Sequence, residues 1–239
     1  MLEVKNVTKT YQQGEGIFDL SFQVRPGTIM GVVGANGAGK TTLFRCIAGL
    51  FQPNSGMISI EGEHPGTEAA KHLTAYVPDQ AYLFPSLTIA EHIQFKAKAF
   101  GLSSEIEESV RKALATVELT ELADRTSGSL SKGQKQRVML AAAYLHQAKL
   151  YILDEPTNGL DIPSKQWLAE WLLTQKAQNK ILLVSSHSLD FIKDVADQCL
   201  LIEKGHFKGI DDVPHDKAAK HDWGNRIIQR LGGSVRLYD

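Results

Sequence analysis

Nine consecutive residues, Gly34-Ala35-Asn36-Gly37-Ala38-Gly39-Lys40-Thr41-Thr42, constrain this chain more than any other stretch. They follow an apolar run, Ile29-Met30-Gly31-Val32-Val33, that reads as a buried strand. They precede Leu43-Phe44-Arg45-Cys46-Ile47-Ala48-Gly49, which reads as a helix ended by Gly49. The spacing G-x-x-x-x-G-K-T between a strand and a helix is that of a phosphate-binding loop. Glycines at 34, 37 and 39 let the backbone curl until several N–H groups face one anion. The helix starting there adds the positive end of its dipole. Lys40 can reach β- and γ-phosphates, and Thr41 can offer a hydroxyl to Mg²⁺. The plain alternative is a glycine-rich turn before a chance lysine, and the flanking strand and helix argue against it.

The chain has 239 residues, room for one large domain or two small lobes. With 26 basic and 27 acidic residues there is no overall field to draw in nucleic acid or an anionic membrane. Cys46 and Cys199 lie far apart in or beside apolar runs, so we read them as core hydrophobes in a reducing cytosol rather than a disulfide. Met1-Leu2-Glu3-Val4-Lys5 alternates like a strand and lacks a signal-peptide apolar region. The longest apolar stretch, Val138 to Leu145, has eight residues, against the roughly 20 needed to cross a bilayer. Any spanning at a membrane falls to another chain.

In order, residues 2–8 and 17–24 read as strands, followed by a Pro26-Gly27 turn into the loop strand. Pro53 to Gly56 reads as a turn, Met57 to Ile60 as a short strand, and Leu73 to Val77 as another strand stopped by Pro78. From Thr88 to Leu145 the pattern is helical almost throughout, with capping-box spacings at Thr88–Glu91 and Ser104–Glu107. Strands resume at 150–153, 181–184 and 199–202, the last a closing strand, with helices after Pro163 and from His187 to Ala196. Trp167 and Trp171 stand at helical spacing with Leu168 and Leu172, as core packing does. Trp223, Ile227 and Leu231 suggest a short helix stopped by Gly232-Gly233. Strands alternating with helices around a phosphate loop predict an α/β fold with a mixed, largely parallel central sheet. We expect a core of residues 1–83 and 146–208, an inserted helical lobe at 84–145 and a C-terminal extension at 209–239.

Three further stretches carry chemistry. Leu130-Ser131-Lys132-Gly133-Gln134 opens the helix 135–145. Ser131 and Gln134 have the spacing of an ordinary capping box, and a well-capped helix start is also an anion site. Leu150-Tyr151-Ile152-Leu153 runs into Asp154-Glu155, two adjacent carboxylates at the end of an apolar strand. Beside a triphosphate, Asp154 can hold Mg²⁺, directly or through water, and Glu155 can orient or deprotonate the attacking water. His187 follows a strand, where it can meet a γ-phosphate or simply start a helix.

Together these motifs resemble the ATP-binding cassette (ABC) ATPases, the nucleotide-binding subunits of ABC transporters, over residues 2 to 208 and in the family's order. Gly34–Thr42 resembles the Walker A loop, and Leu130–Gln134 the family signature with Lys132 in place of its second glycine. Leu150–Glu155 resembles Walker B with its catalytic glutamate, Gly159-Leu160-Asp161 the D-loop, and Ser185-Ser186-His187 the switch histidine. Tyr11 stands where the family has an aromatic that stacks on adenine. The resemblance implies a P-loop fold of the ABC type, with an antiparallel N-terminal part. It implies ATP and Mg²⁺ as ligands, Glu155 and His187 as catalytic residues, and ATP contacts from Tyr11, the loop, Ser131, Gly133, Gln134 and Asp161. Thr41 and Asp154 take the metal side. One position departs. Where the family has a glutamine that touches Mg²⁺, the chain reads Asp79, followed by Gln80. Either Asp79 is a metal-facing substitute or the register shifts to Gln80.

The resemblance further implies a head-to-tail dimer, homomeric or heteromeric, in which Ser131 and Gly133 of one subunit meet the phosphate held by Lys40 of the other. It implies a membrane-spanning partner, a cytoplasmic location on the inner face of the membrane, and no nucleic acid. The stretch from Asp79 to Thr88, with Tyr82, Leu83, Phe84 and Pro85, reads either as packing between lobes or as the rim of a groove for a helix of that partner. Lys132, Pro78-Asp79 and the lack of a regulatory domain resemble bacterial exporters of drugs, peptides or antibiotics. The alternatives are a soluble ABC ATPase of an assembly or nucleic-acid machine, and a degenerate regulatory cassette.

Overall fold

The structure, a computed structural model, describes residues 1–11, 14–102, 105–187 and 189–232. β1 (Leu2–Thr10) and β2 (Gly16–Val24) pair antiparallel, Leu2 facing Val24 and Val4 facing Phe22. β3 (Thr28–Val33) leads through the glycine loop into α1 (Lys40–Ile47). β4 (Ser55–Ile60) lies antiparallel on the far side of β1. α2 (Glu68–Leu73) precedes β5 (Thr74–Val77), and α3 (Ile89–Ala99), α4 (Ile106–Thr116) and α5 (Lys132–Leu145) follow and pack on one another. Then β6 (Leu150–Leu153), α6 (Ile162–Ala177), β7 (Ile181–Ser186), α7 (Leu189–Val195), β8 (Gln198–Glu203), β9 (His206–Asp212) and α8 (Lys217–Arg230) complete the chain.

The strands form one mixed sheet in the order β4-β1-β2-β9-β8-β3-β7-β6-β5. β8, β3, β7, β6 and β5 run parallel, and the N-terminal strands are antiparallel. This is the predicted α/β architecture. Alternation along the central strands explains why they are apolar throughout. Ile29 and Val33 of β3 face a core shared with α3 to α8, while Met30 and Val32 face the core beneath α1 and the N-terminal strands. Leu182 and Val184 of β7 divide from Ile181 and Leu183 in the same way. A parallel strand covered on both faces has no polar side to show, and each such buried side chain contributes about 1.5–3 kcal/mol.

Several boundaries differ from the sequence expectation. The strand at 199–202 does not close the sheet. It is β8, and β9 folds back on it through Lys204-Gly205, both at positive φ (48° and 80°), the geometry of a tight hairpin turn. β9 then sits between β8 and β2, joined to β2 by the Phe18–His206 pairing. Leu73 belongs to α2, which Thr67 starts by accepting the N–H of Ala70 through its side chain. Ser55 and Gly56, expected in a turn, already belong to β4. The helix of Trp223 and Ile227 is long, at 14 residues, with Asp216 as its N-cap and Leu231 just past its end, and all three of those apolar side chains are buried. The capping boxes at Thr88 and Ser131 are both formed. The helix expected over 187–196 is α7, Leu189–Val195, so His187 and Ala196 stand outside it. The capping box expected at Ser104 and the stop at Gly233 fall outside the described residues.

Candidate functional site

The loop sits between the ends of β3 and β8. Gly37 and Gly39 take positive φ (79° and 105°), as a curling loop requires. Gly34 does not; its need is space, because a Cβ there would stand 2.3 Å from the Ile202 carbonyl oxygen. Gly39 offers no side chain to cap α1, and no acidic residue stands in the first turn, which leaves that helix start suited to an anion. Lys40 is almost fully buried, and its Nζ donates to the carbonyls of Gly34 (2.7 Å) and Ala35 (3.3 Å). The Tyr11 hydroxyl lies 3.1 Å from Thr42 Oγ1. A cavity of about 470 Å³ opens over this loop. Its walls include Tyr11, the stretch from Asn36 to Thr42, and, from the sheet end, Asp79, Glu155 and His187. Gly34 and Ala35 lie behind Lys40 and do not line it.

The acidic pair ends β6 and is held tightly. Asp154 is 1% exposed; its Oδ1 accepts the Ser185 hydroxyl (2.7 Å) and its Oδ2 the Tyr76 hydroxyl (3.3 Å). Burial and the Asp154 charge push the Tyr76 phenol up to about 12, so it stays a donor at any physiological pH. Glu155 has φ 47°, and its N–H is taken by Ser185 Oγ at 2.7 Å. Of the nine non-glycine residues at positive φ among those described, Glu155 alone lines this cavity, strain placed where chemistry is expected. Its Oε2 accepts from both the backbone N–H (3.1 Å) and Nδ1 (2.8 Å) of His187, the ring proton being assigned from this geometry. Its Oε1 stands 3.2 Å from Lys40 Nζ, an ion-pair distance without hydrogen-bond alignment, so this oxygen keeps its accepting capacity. The Asp79 Oδ1 accepts from Asn158 Nδ2 at 2.9 Å.

The remaining candidates gather elsewhere. Ser131, Gly133, Gln134 and Asp161 line a second cavity, of about 440 Å³, that shares no residue with the first. Ser131 Oγ accepts the N–H of Gln134, and Gln134 Oε1 accepts the N–H of Ser131. Lys132 lays its stem over Gly159: a Cβ at Gly159 would meet Lys132 Cδ at 2.8 Å. Asp161 caps α6 by accepting the Ser164 N–H at 3.0 Å, and its bonds with Ser164 hold its carboxyl below the usual range. Arg137 donates to Ser164 Oγ at 3.2 Å.

Residues 17–158 match the sequence pattern of the ABC transporter family. The SkfA peptide export ATP-binding protein SkfE of Bacillus subtilis (strain 168) is 46% identical over 97% of this chain and 97% of its own length. The chain belongs to the ABC transporter family. It is an ABC ATPase. The chelated iron transport system membrane protein YfeB of Yersinia pestis is 37% identical over 85% of the chain and 71% of that protein. The solved structure of an ATP-binding subunit of an ABC transporter superposes with a TM-score of 0.84 at 32% identity, covering 99% of this chain and all of that one.

In this ABC ATPase four polar residues matter to which the sequence assigns no role of their own. Ser185 ties Asp154 to Glu155, Tyr76 supports Asp154, Asn158 holds Asp79, and Arg137 braces the start of α6. A signal existed for one of them: Ser185-Ser186 is polar at the end of a strand that is otherwise apolar, and both serines are buried. Gln80 is exposed and does not line the phosphate cavity, so position 79 is the one that faces it. Asp154, expected on the metal side, is buried behind the cavity with both oxygens hydrogen-bonded and so reaches a cation only through water, whereas the Thr41 oxygen lines the cavity directly and suits a hard dication. Among the described residues no three His, Cys, Asp or Glu assemble a metal cage. Mg²⁺ is ordinarily held by one or two protein oxygens together with phosphates and water, and this donor set fits that pattern.

Proposed function

We propose that this chain is the ATP-hydrolysing subunit of an exporter, working on a separate membrane-spanning partner and closing on ATP with a second ABC subunit. The observation that carries the reading is the Glu155 carboxylate. It hangs over the phosphate loop with one oxygen held by His187 and the other beside Lys40 Nζ. In that place Glu155 takes the proton of an attacking water, His187 orients it, and Lys40 and the start of α1 balance the phosphate charge. Mg²⁺, when bound, neutralises the β- and γ-phosphate oxygens; Thr41 and, through water, Asp154 are the residues that would hold it. Tyr11 would stack on the base.

The signature cavity at Ser131 and Gly133 shares no lining residue with the phosphate cavity, which supports a head-to-tail pair completing two sites. Export is favoured over import because the peptide-export relative is 46% identical and matches along nearly its whole length. Among the described residues no helix is long and apolar enough to cross a membrane. We therefore place the chain peripherally on the inner face, held by the partner. Tyr82 and Phe84, 69% and 52% exposed, and Phe95, which packs on Phe84, are the exposed aromatics offered for that contact. Purification from detergent-solubilised membranes tests the reading. Co-purification of a multi-span protein, with ATPase activity that rises in its presence, is the expected result. ATPase activity in a chain that never associates with a membrane protein would move it to another machine.

A further inference from the structure

Asn158 and Gly159 are neighbours in sequence, yet they line different cavities, Asn158 the phosphate cavity and Gly159 the signature cavity. The turn that carries them starts at Glu155, whose carbonyl accepts the Asn158 N–H at 3.1 Å, and continues with Leu160 N–H on the Thr157 carbonyl at 3.2 Å. It ends at Asp161, the cap of α6. On the signature side it is packed. Gly159, at φ 73°, lies under the Lys132 stem, and Leu160 Cδ2 comes within 3.3 Å of where a Cβ on Gly133 would stand.

On the phosphate side, among the described residues, the side-chain tie is the hydrogen bond from Asn158 Nδ2 to Asp79 Oδ1 at 2.9 Å, partly buried and spanning 79 residues of sequence. Both ends of that bond are anchored by the sheet. β5 and β6 run in parallel register, and the Asp154 N–H donates to the Val77 carbonyl at 2.9 Å, which brings Asp79 and the Asp154-Glu155 pair to the same sheet end. A carboxylate acceptor makes this a charge-assisted bond, stronger than a neutral amide acceptor would give. The position that departs from the family's glutamine is thus already engaged with a residue of the chain's own.

We propose that Asp79 is a positioning residue. Its bond from Asn158 fixes the turn 156–160, and through that turn sets the Glu155 carboxylate in step with the signature face at Lys132 and Gly133. This rests on reading the chain as an ATPase whose base is Glu155. Asp79 then acts through Asn158, so what matters at 79 and 158 is one donor facing one acceptor, whichever side carries the charge.

That requirement makes a reciprocal exchange the decisive experiment. Asn158→Asp sets two carboxylates against each other, and Asp79→Ala removes the acceptor. Each should lower kcat by about tenfold or more while KM for ATP moves by less than about threefold. The double exchange Asp79→Asn with Asn158→Asp rebuilds the bond with the roles reversed. It should recover kcat to within about threefold of wild type, and the melting temperatures of wild type, Asp79→Asn, Asn158→Asp and the double exchange should be non-additive. The Mg²⁺ concentration that half-saturates binding of a fluorescent ATP analogue should not change in Asp79→Ala. An exchange no more active than Asn158→Asp alone overturns the proposal, as does a rise of about tenfold in that Mg²⁺ requirement, which would make Asp79 a metal-side group. If the wild-type chain turns over no ATP, the ATPase reading fails; the melting cycle then decides for the tether, and additive losses reject it.

Discussion

Ser185 gives its hydroxyl proton to Asp154 Oδ1 across 2.7 Å while its oxygen accepts the Glu155 N–H, also at 2.7 Å. One small side chain thereby holds a buried carboxylate and the strained backbone of its neighbour. Ser185→Ala leaves both groups short of a partner in a site that water does not reach at Asp154, at a cost of about 1–3 kcal/mol. The melting temperature should fall by several degrees, and kcat should fall further than KM changes, because Glu155 loses its fixed direction. Ser185→Thr keeps the hydroxyl and should retain most of the stability; equal losses in both variants would refute the hydrogen-bond account.

Glu155→Gln keeps the shape of the side chain and its acceptor for the His187 N–H but cannot take a proton. The variant should bind ATP, lose steady turnover by about a hundredfold or more, and collect as an ATP-bound pair on gel filtration. Near-normal hydrolysis would remove Glu155 from the role assigned to it.

The site was legible in the sequence wherever the chemistry dictates residue type over a short span. Gly37, Gly39, Lys40 and the Asp154-Glu155 pair are local requirements, and the structure sets Gly37, Gly39, Lys40 and Glu155 around one cavity with Asp154 buried behind it. Gly34 was picked out for the wrong reason, since its glycine answers to the Ile202 carbonyl, a contact no local reading contains. Asn158 with Asp79, and Ser185 with Asp154, are pairs distant in sequence whose members look like ordinary polar residues until the sheet joins them. β9 escaped notice because His206–Asp212 is exposed or half-exposed and shows no clean alternation, and its turn is Lys-Gly rather than Asn-Gly.

Lys40 carries charge in a place where charge is costly. At 6% exposed it is balanced by Glu155 and two loop carbonyls. Lys40→Ala removes the cation that a triphosphate needs and leaves Glu155 Oε1 beside no positive charge. Binding of a fluorescent ATP analogue in the presence of Mg²⁺ should weaken by about a hundredfold or more, roughly 2.8 kcal/mol of lost affinity. Affinity within a few-fold of wild type would mean that the loop backbone alone holds the phosphates.

Phe84 packs edge-on against Phe95, ring centroids 5.6 Å apart, yet half of it faces solvent. Its burial in the folded chain is too small for packing to explain an aromatic there. Phe84→Ala should leave the melting temperature almost unchanged and reduce co-purification with the membrane partner at least severalfold, as a lost aromatic anchor does. Unchanged association would remove this patch from the partner contact.

Beneath Phe84, 5.8 Å from it, His92 is fully buried, and among the described residues neither ring nitrogen has a hydrogen-bond partner. Burial, and then the nearby Lys96, hold its pKa below the ordinary 6.5. The folded protein therefore keeps this histidine neutral where the unfolded chain would already take up a proton. By linkage, the stabilisation is complete above about pH 6.5 and declines as pH falls below it toward the folded value. His146, shifted downward by burial and then by His72, acts in the same direction. Melting temperatures measured from pH 7.5 to 5.5 should thus decrease. His92→Leu, which sacrifices no hydrogen bond, should flatten that decrease, and combining it with His146→Leu should flatten it further. A slope in His92→Leu equal to that of wild type would show that the acid sensitivity comes from other groups.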